Sequence, residues 1–124
     1  MCGIYGILAL SGTQQHDPSV LSRMGNAIVH RGPDDEGSFS DGQMLLGMRR
    51  LSIIDVAGGH QPITNEDGSV VVVCNGEIYN YRQLRARLER SGHQFATHSD
   101  TEVIAHLYEE LGDKFLGELE GMFG

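Results

Sequence analysis

An uninterrupted apolar run, residues 4–10 (IYGILAL), opens the chain and predicts a short buried strand rather than a helix. Asp17-Pro18 then offers an N-cap followed by proline at the first helical position. Val20, Leu21, Met24 and Ile28 follow at helical spacing, so residues 18–29 are expected to form an amphipathic helix. Residues 30–37 (HRGPDDEG) are broken by Gly32-Pro33 and exclude regular structure. Residues 36–40 and 43–48, joined by Asp41-Gly42, predict a hairpin. Residues 51–54 predict another short strand. Asp67-Gly68 marks a second hairpin turn ahead of residues 70–74, the strongest strand signal in the chain.

The period then changes from two to 3.6. Asn80 can cap a helix carrying Leu84 and Leu88, with Gly92 ending it. Ser99 and Glu102 have the spacing of a capping box. Val103, Ile104, Leu107, Tyr108 and Leu111 give the next helix a buried stripe, which Gly112 stops. The order strand, helix, several strands, paired helices suggests a sheet covered by helices on one face. Residues 114–124 (KFLGELEGMFG) turn apolar again, and Met122-Phe123 reads as the start of a core strand. The chain therefore reads as a piece of a longer protein.

Composition narrows the function classes. The 124 residues suffice for one domain with a real core. A net charge of -8 argues against nucleic acid and against anionic membrane surfaces. No apolar run approaches a membrane span, and the N-terminus lacks the basic region of a secretion signal. Two cysteines, Cys2 and Cys74, make no disulfide framework, so a reducing cytoplasm is the simplest location. The six histidines show no metal-ligand spacing and read as structural or exposed. The run 85–90 (RARLER) reads as a solvated helix face with an Arg85–Glu89 pair.

Five positions suggest chemistry, each against a structural alternative. If Met1 is removed, Cys2 carries both a thiol and a free α-amine, whose reference pKa of about 7.7–8.0 leaves it partly unprotonated near neutrality. That is an internal base beside a nucleophile. By itself, the position more often means a small buried hydrophobe. Arg49-Arg50 point to opposite faces of an extended chain, so one can turn inward and grip a carboxylate. A surface pair is the alternative. Asn75-Gly76 can aim a side-chain amide and a backbone N–H at one oxygen, as an oxyanion hole requires, or can simply turn. Glu77 can accept from a substrate amine or be solvated. Asp100 can bind a substrate ammonium if Ser99 caps the helix, or can serve the helix start itself.

Met1-Cys2-Gly3-Ile4, His30-Arg31-Gly32-Pro33-Asp34, Arg50-Leu51-Ser52-Ile53-Ile54-Asp55, Asn75-Gly76-Glu77-Ile78-Tyr79-Asn80 and Ser99-Asp100-Thr101-Glu102 occur together and in order. The set resembles the glutaminase domain of the glutamine-hydrolysing asparagine synthetases. These are class II glutamine amidotransferases of the N-terminal-nucleophile hydrolase type. The resemblance runs from Met1 to Phe123 and implies an α+β fold, an αββα sandwich incomplete at the C-terminus, with residues 1–124 as the N-terminal part of the glutaminase domain. It implies Cys2 as nucleophile with its α-amine as base, and Asn75 with the Gly76 N–H as oxyanion hole. Arg50 would hold the glutamine α-carboxylate and Asp100 its α-ammonium, with Leu51, Ile53, Ile54 and Glu77 lining the rest. No cofactor is implied for these residues. ATP and magnesium belong to a synthetase domain that would use the ammonia to amidate aspartate. The implied partners are L-glutamine and that domain, and a homodimer stays open. The alternatives are a non-catalytic glutaminase-fold module that binds glutamine or a partner, and an amidotransferase with a sugar or peptide acceptor.

Overall fold

The computed structural model describes residues 2–10, 17–52 and 58–124. Strand β1 (Gly3–Leu8) pairs antiparallel with β3 (Met44–Arg50), which also pairs with β2 (Asp35–Ser40), giving the order β1-β3-β2. The expected hairpin is therefore present. The Asp41 carboxylate holds its turn by accepting the N–H groups of Gln43 and Met44, at 2.9 and 2.7 Å. The apolar run at 4–10 does form a strand, but not a buried one. β1 is a sheet edge, and Ile4 and Leu8 are exposed on it. An apolar run fixes extended backbone without fixing which faces are covered.

Helix α1 (Pro18–Ala27) packs on β1 and β3. Its predicted start is correct: the Asp17 carboxylate accepts the Ser19 N–H at 2.9 Å, and Pro18 occupies the first turn. The helix ends two residues before the expected 29, and Val29–Arg31 continue as a 3-10 turn. Residues 30–37 are thus not wholly irregular, since Asp35 already begins β2. Arg49 fastens the helix to the sheet, donating from Nε to the Gly25 carbonyl at 3.1 Å and from Nη2 to Asn26 Oδ1 at 3.1 Å. A cation at the last carbonyls also suits the helix dipole.

The second half builds another layered unit. Strands β4 (Ile63–Thr64) and β5 (Val71–Val72) pair antiparallel around the Asp67-Gly68 turn. β6 (Gly76–Ile78) pairs antiparallel with β7 (Gly121–Phe123). The strand expected at 70–74 is therefore split, with residues 73–75 outside any strand. Helix α2 (Tyr81–Ser91) packs on α3 (Glu102–Leu111), and α3 packs on β4 and β5. Helices accordingly back two separate sheets, α1 on one and α3 on the other. That replaces the single helical face suggested by element order and fits the sandwich.

The core joins Cys74, Ile78, Leu84, Leu88, Val103, Ile104 and Leu107. Leu88 and Leu107 are fully buried, each worth about 1.5–3 kcal/mol of apolar transfer. Tyr108, expected in the stripe, is instead 43% exposed and meets the Phe115 ring edge-on. Gly92 terminates α2 with φ of +108°, a conformation that side chains strongly disfavour.

Two expected caps serve tertiary structure instead. Asn80 makes no side-chain cap; its Nδ2 donates to the Glu118 carbonyl at 2.8 Å and its Oδ1 accepts the Glu120 N–H at 3.1 Å, fixing the approach to β7. Glu102 does not reach back to Ser99. Its buried carboxylate accepts the N–H groups of Ala96 and Thr97, at 2.6 and 2.8 Å, so the capping box is absent. β7 forms as a strand, yet Met122 and Phe123 remain exposed rather than in the core. No described helix is long and apolar enough to cross a membrane.

Candidate active site

A cavity of about 480 Å³ lies between the two sheet systems. Cys2, Arg50 and Leu51 line it from the β1–β3 side. Asn75, Gly76, Glu77 and Asp100 line it from the other. The chain thus brings together residues from four separate segments. Ile53 and Ile54, and with them most of the strand expected at 51–54, lie outside the described residues. Leu51 and Ser52 are not in a strand.

The β1–β3 register pairs Gly3 with Arg49, which carries Cys2 alongside the end of β3. There the Leu51 N–H donates to Cys2 Sγ at 3.3 Å, and Sγ lies 3.6 Å from the Leu51 carbonyl. Of the Arg49-Arg50 pair, Arg50 is the one turned to the cavity and is buried, while Arg49 serves α1.

The turn around Gly32-Pro33 braces this corner. Arg31 Nη2 donates to the Cys2 carbonyl at 3.3 Å. The Asp34 N–H donates to the Arg50 carbonyl at 3.1 Å, and Asp34 Oδ2 accepts the Ser52 N–H at 2.9 Å. Arg31 and Asp34 entered the sequence reading only as family markers; the structure makes them the supports of the Cys2–Arg50 corner.

On the other wall Asn75-Gly76 is not a turn. Asn75 exchanges both backbone hydrogen bonds with Gly124, each at 3.0 Å. In an antiparallel ladder the next pair, Gly76 with Phe123, is then a non-hydrogen-bonded one. The Gly76 N–H is consequently directed to the opposite edge of β6. The Ile78 N–H points to that same edge and donates to Asp100 Oδ2 at 2.7 Å. The two strands approach closely at Gly76, since a Cβ placed there would run into the Met122 carbonyl oxygen and Phe123.

Asp100 sits two residues before α3 begins, and the Ser99 hydroxyl accepts the Thr101 N–H at 3.2 Å. Asp100 therefore does not cap the helix; its buried carboxylate braces β6 and faces the cavity.

Gln61 was not foreseen from sequence. Its buried side-chain amide grips the Cys74 backbone at both ends. Oε1 accepts the Cys74 N–H at 2.7 Å, and Nε2 donates to the Cys74 carbonyl at 3.2 Å. Nε2 also lies 3.5 Å from the Thr101 hydroxyl. One side chain thereby substitutes for a strand partner just before Asn75 and ties that segment to Thr101, the neighbour of Asp100. No local sequence signal marks a glutamine for such a task. Cys74 itself is buried as expected, and loss of solvent, reinforced by the Asp100 carboxylate, pushes its thiol up to about 11.

The family model of the glutamine amidotransferase domain matches residues 1–124. The chain is 49% identical to asparagine synthetase [glutamine-hydrolyzing] 2 of Bacillus subtilis (strain 168), over 99% of its own length and 16% of the relative's. It is 48% identical to the asparagine synthetase [glutamine-hydrolyzing] of Asparagus officinalis, over 99% of this chain and 20% of that protein. The chain thus spans a fifth or less of these two curated relatives. Among solved structures, the glutamine phosphoribosylpyrophosphate amidotransferase of B. subtilis superposes with a TM-score of 0.75, covering 97% of this chain and 33% of that one at 23% identity. That likeness establishes the fold.

Proposed function

The chain belongs to the glutamine amidotransferase domain family, and from that membership we propose that it hydrolyses the side-chain amide of L-glutamine, with Cys2 as nucleophile. The observation that carries this reading is the convergence of Cys2, Arg50, Asn75, Gly76 and Asp100 on one cavity. Arg50 binds the substrate α-carboxylate and Asp100 its α-ammonium, two charges of opposite sign matched by two of opposite sign. Leu51 and Glu77 line the space between.

With Met1 removed, the α-amine of Cys2 takes the thiol proton as Sγ bonds to the amide carbon. The oxyanion that forms lies between the Asn75 side-chain amide and the Gly76 N–H. When the C–N bond breaks, the proton passes to the leaving nitrogen and ammonia departs. Water then adds to the γ-glutamyl thioester, which releases glutamate and restores the thiol.

The 46–49% identity to glutamine-hydrolysing asparagine synthetases supports a further step, in which the ammonia passes to a synthetase domain that uses ATP and magnesium to amidate aspartate. Replacement of the nucleophile tests the first step. Cys2→Ala is expected to remove glutamate release from glutamine while leaving the urea unfolding curve unchanged. Hydrolysis that persists in Cys2→Ala overturns the assignment.

A further inference from the structure

His106 lies within α3 with no exposed surface, and neither ring nitrogen makes a hydrogen bond among the described residues. A buried imidazole in that state is costly unless something else occupies its lone pair. Its surroundings are acidic. Glu66 Oε2 lies 3.2 Å from His106 Nδ1, and Glu66 Oε1 lies 3.2 Å from His93 Nδ1. Glu109 Oε2 is 3.7 Å from the same His93 nitrogen. One ligand atom each from Glu66, His93, His106 and Glu109 falls within 4.8 Å of all the others. They come from three places: the β4–β5 turn, the segment after α2, and α3. None of them lines the glutamine cavity.

We propose that Glu66, His93, His106 and Glu109 form a binding site for a divalent transition-metal ion, with Zn²⁺ as the best match. Two imidazoles with two carboxylates is a donor set that zinc accepts, whereas magnesium and calcium take oxygen ligands. The outer groups support the same assignment. The Nδ1 atoms of both histidines face the shared carboxylates. Their Nε2 atoms face two further ones, Glu110 Oε1 at 3.3 Å from His93 and Glu102 Oε1 at 3.7 Å from His106. A carboxylate close behind a metal-bound imidazole fixes its tautomer and raises its basicity, and Glu110 stands at that range behind His93, whereas Glu102 is too far from His106 for a hydrogen bond. Tetrahedral zinc with bonds of about 2.0–2.1 Å needs its ligand atoms roughly 3.4 Å apart. The present spread reaches 4.8 Å, so binding would draw in the partly exposed Glu66 and Glu109 side chains. Glu66 Oε1 now accepts the Gln94 N–H at 2.7 Å, and Glu109 Oε2 accepts from Asn65 Nδ2 at 3.1 Å. The ion would pin the β4–β5 turn to α3, just beyond the segment that carries Asp100. Sequence spacing shows only the i, i+3 pair His106 and Glu109 on α3; Glu66 and His93 join it only in the fold.

The test uses the full chain carrying Cys2→Ser, so that the N-terminal aminothiol contributes no metal binding of its own. After chelator treatment, ZnCl₂ is expected to bind at one equivalent and to raise Tm by about 11 °C at a hundredfold excess over Kd. Co²⁺ in its place should show the visible d–d absorption of a four-coordinate nitrogen and oxygen site. His106→Gln risks the fold, so the decisive variant is His93→Gln with Glu109→Gln, the first partly buried and the second exposed. It is expected to fold and to lose the metal-dependent rise and the Co²⁺ spectrum. No rise in the parent, or an equal rise in the double variant, overturns the proposal. So does stability that grows only on acidification and ignores both chelator and metal, which would assign the cluster to protonated-histidine ion pairs.

Discussion

Replacing Gln61 with methionine keeps side-chain length and approximate volume while removing the amide, so the change isolates two hydrogen bonds rather than packing. Both bonds go to the Cys74 backbone inside the core, and Gln61 is only 5% exposed. A buried backbone group left unpaired costs about 1–3 kcal/mol, so two cost about 2–6. The adjoining cavity lets water reach one of them, which sets the expectation at about 2–4 kcal/mol. In a chain of this size that is a fall in Tm of roughly 8–16 °C. Urea unfolding at fixed pH measures it directly. The second readout is kinetic. Cys74 precedes Asn75, so slackening it displaces the proposed oxyanion donors, and kcat for glutamine hydrolysis is expected to fall about 10–100-fold with KM little changed. Stability within about 0.5 kcal/mol of the parent would refute the account of Gln61 as a substitute strand partner. Lost stability with unchanged kcat would refute its coupling to the site.

Four further outcomes test other parts of the structure. Because the folded Cys74 thiol titrates near 11 against an ordinary 9.0, its contribution to stability is complete below pH 9 and lost as pH rises towards 11. That loss is up to about 3 kcal/mol and should be absent in Cys74→Ala, as unfolding across that range will show. In the same protein at neutral pH, iodoacetamide mapped by peptide mass spectrometry is expected to modify Cys2 well before Cys74; the reverse order would contradict the burial described. Gly76→Ala places a Cβ against the Met122 carbonyl, and is expected to cost about 1–3 kcal/mol and to raise amide exchange in β7; a neutral effect on both refutes the close approach. Asp100→Asn retains an acceptor for the Ile78 N–H but removes the charge. It is expected to raise KM for glutamine by one to two decades with a small change in Tm, and an unchanged KM would remove Asp100 from substrate binding.

Local signals in this chain are those whose physics is complete within a few residues. Asp17-Pro18 starts α1, Asp41-Gly42 turns the hairpin and Gly92 stops α2, each through a backbone conformation or a neighbouring N–H. Cys2, Arg50, Asn75 and Asp100 each carried a structural alternative when read alone, and they became one candidate set only through the motifs shared with the amidotransferase family. Tertiary structure decided what those signals could not hold. The run at 4–10 is apolar whether its strand is central or at an edge, and only the order β1-β3-β2 exposes it. Asn80, Glu102 and Gln61 have hydrogen-bonding capacity that local rules assign to caps or to solvent. Their observed partners at Glu118, Ala96 and Cys74 exist only after the chain has packed. The same holds for the pairing of Asn75 with Gly124, which turns the Gly76 N–H away from β7, and for the meeting of Glu66, His93, His106 and Glu109. Residue type sets what a group can bind; only the packed fold sets which groups stand within reach.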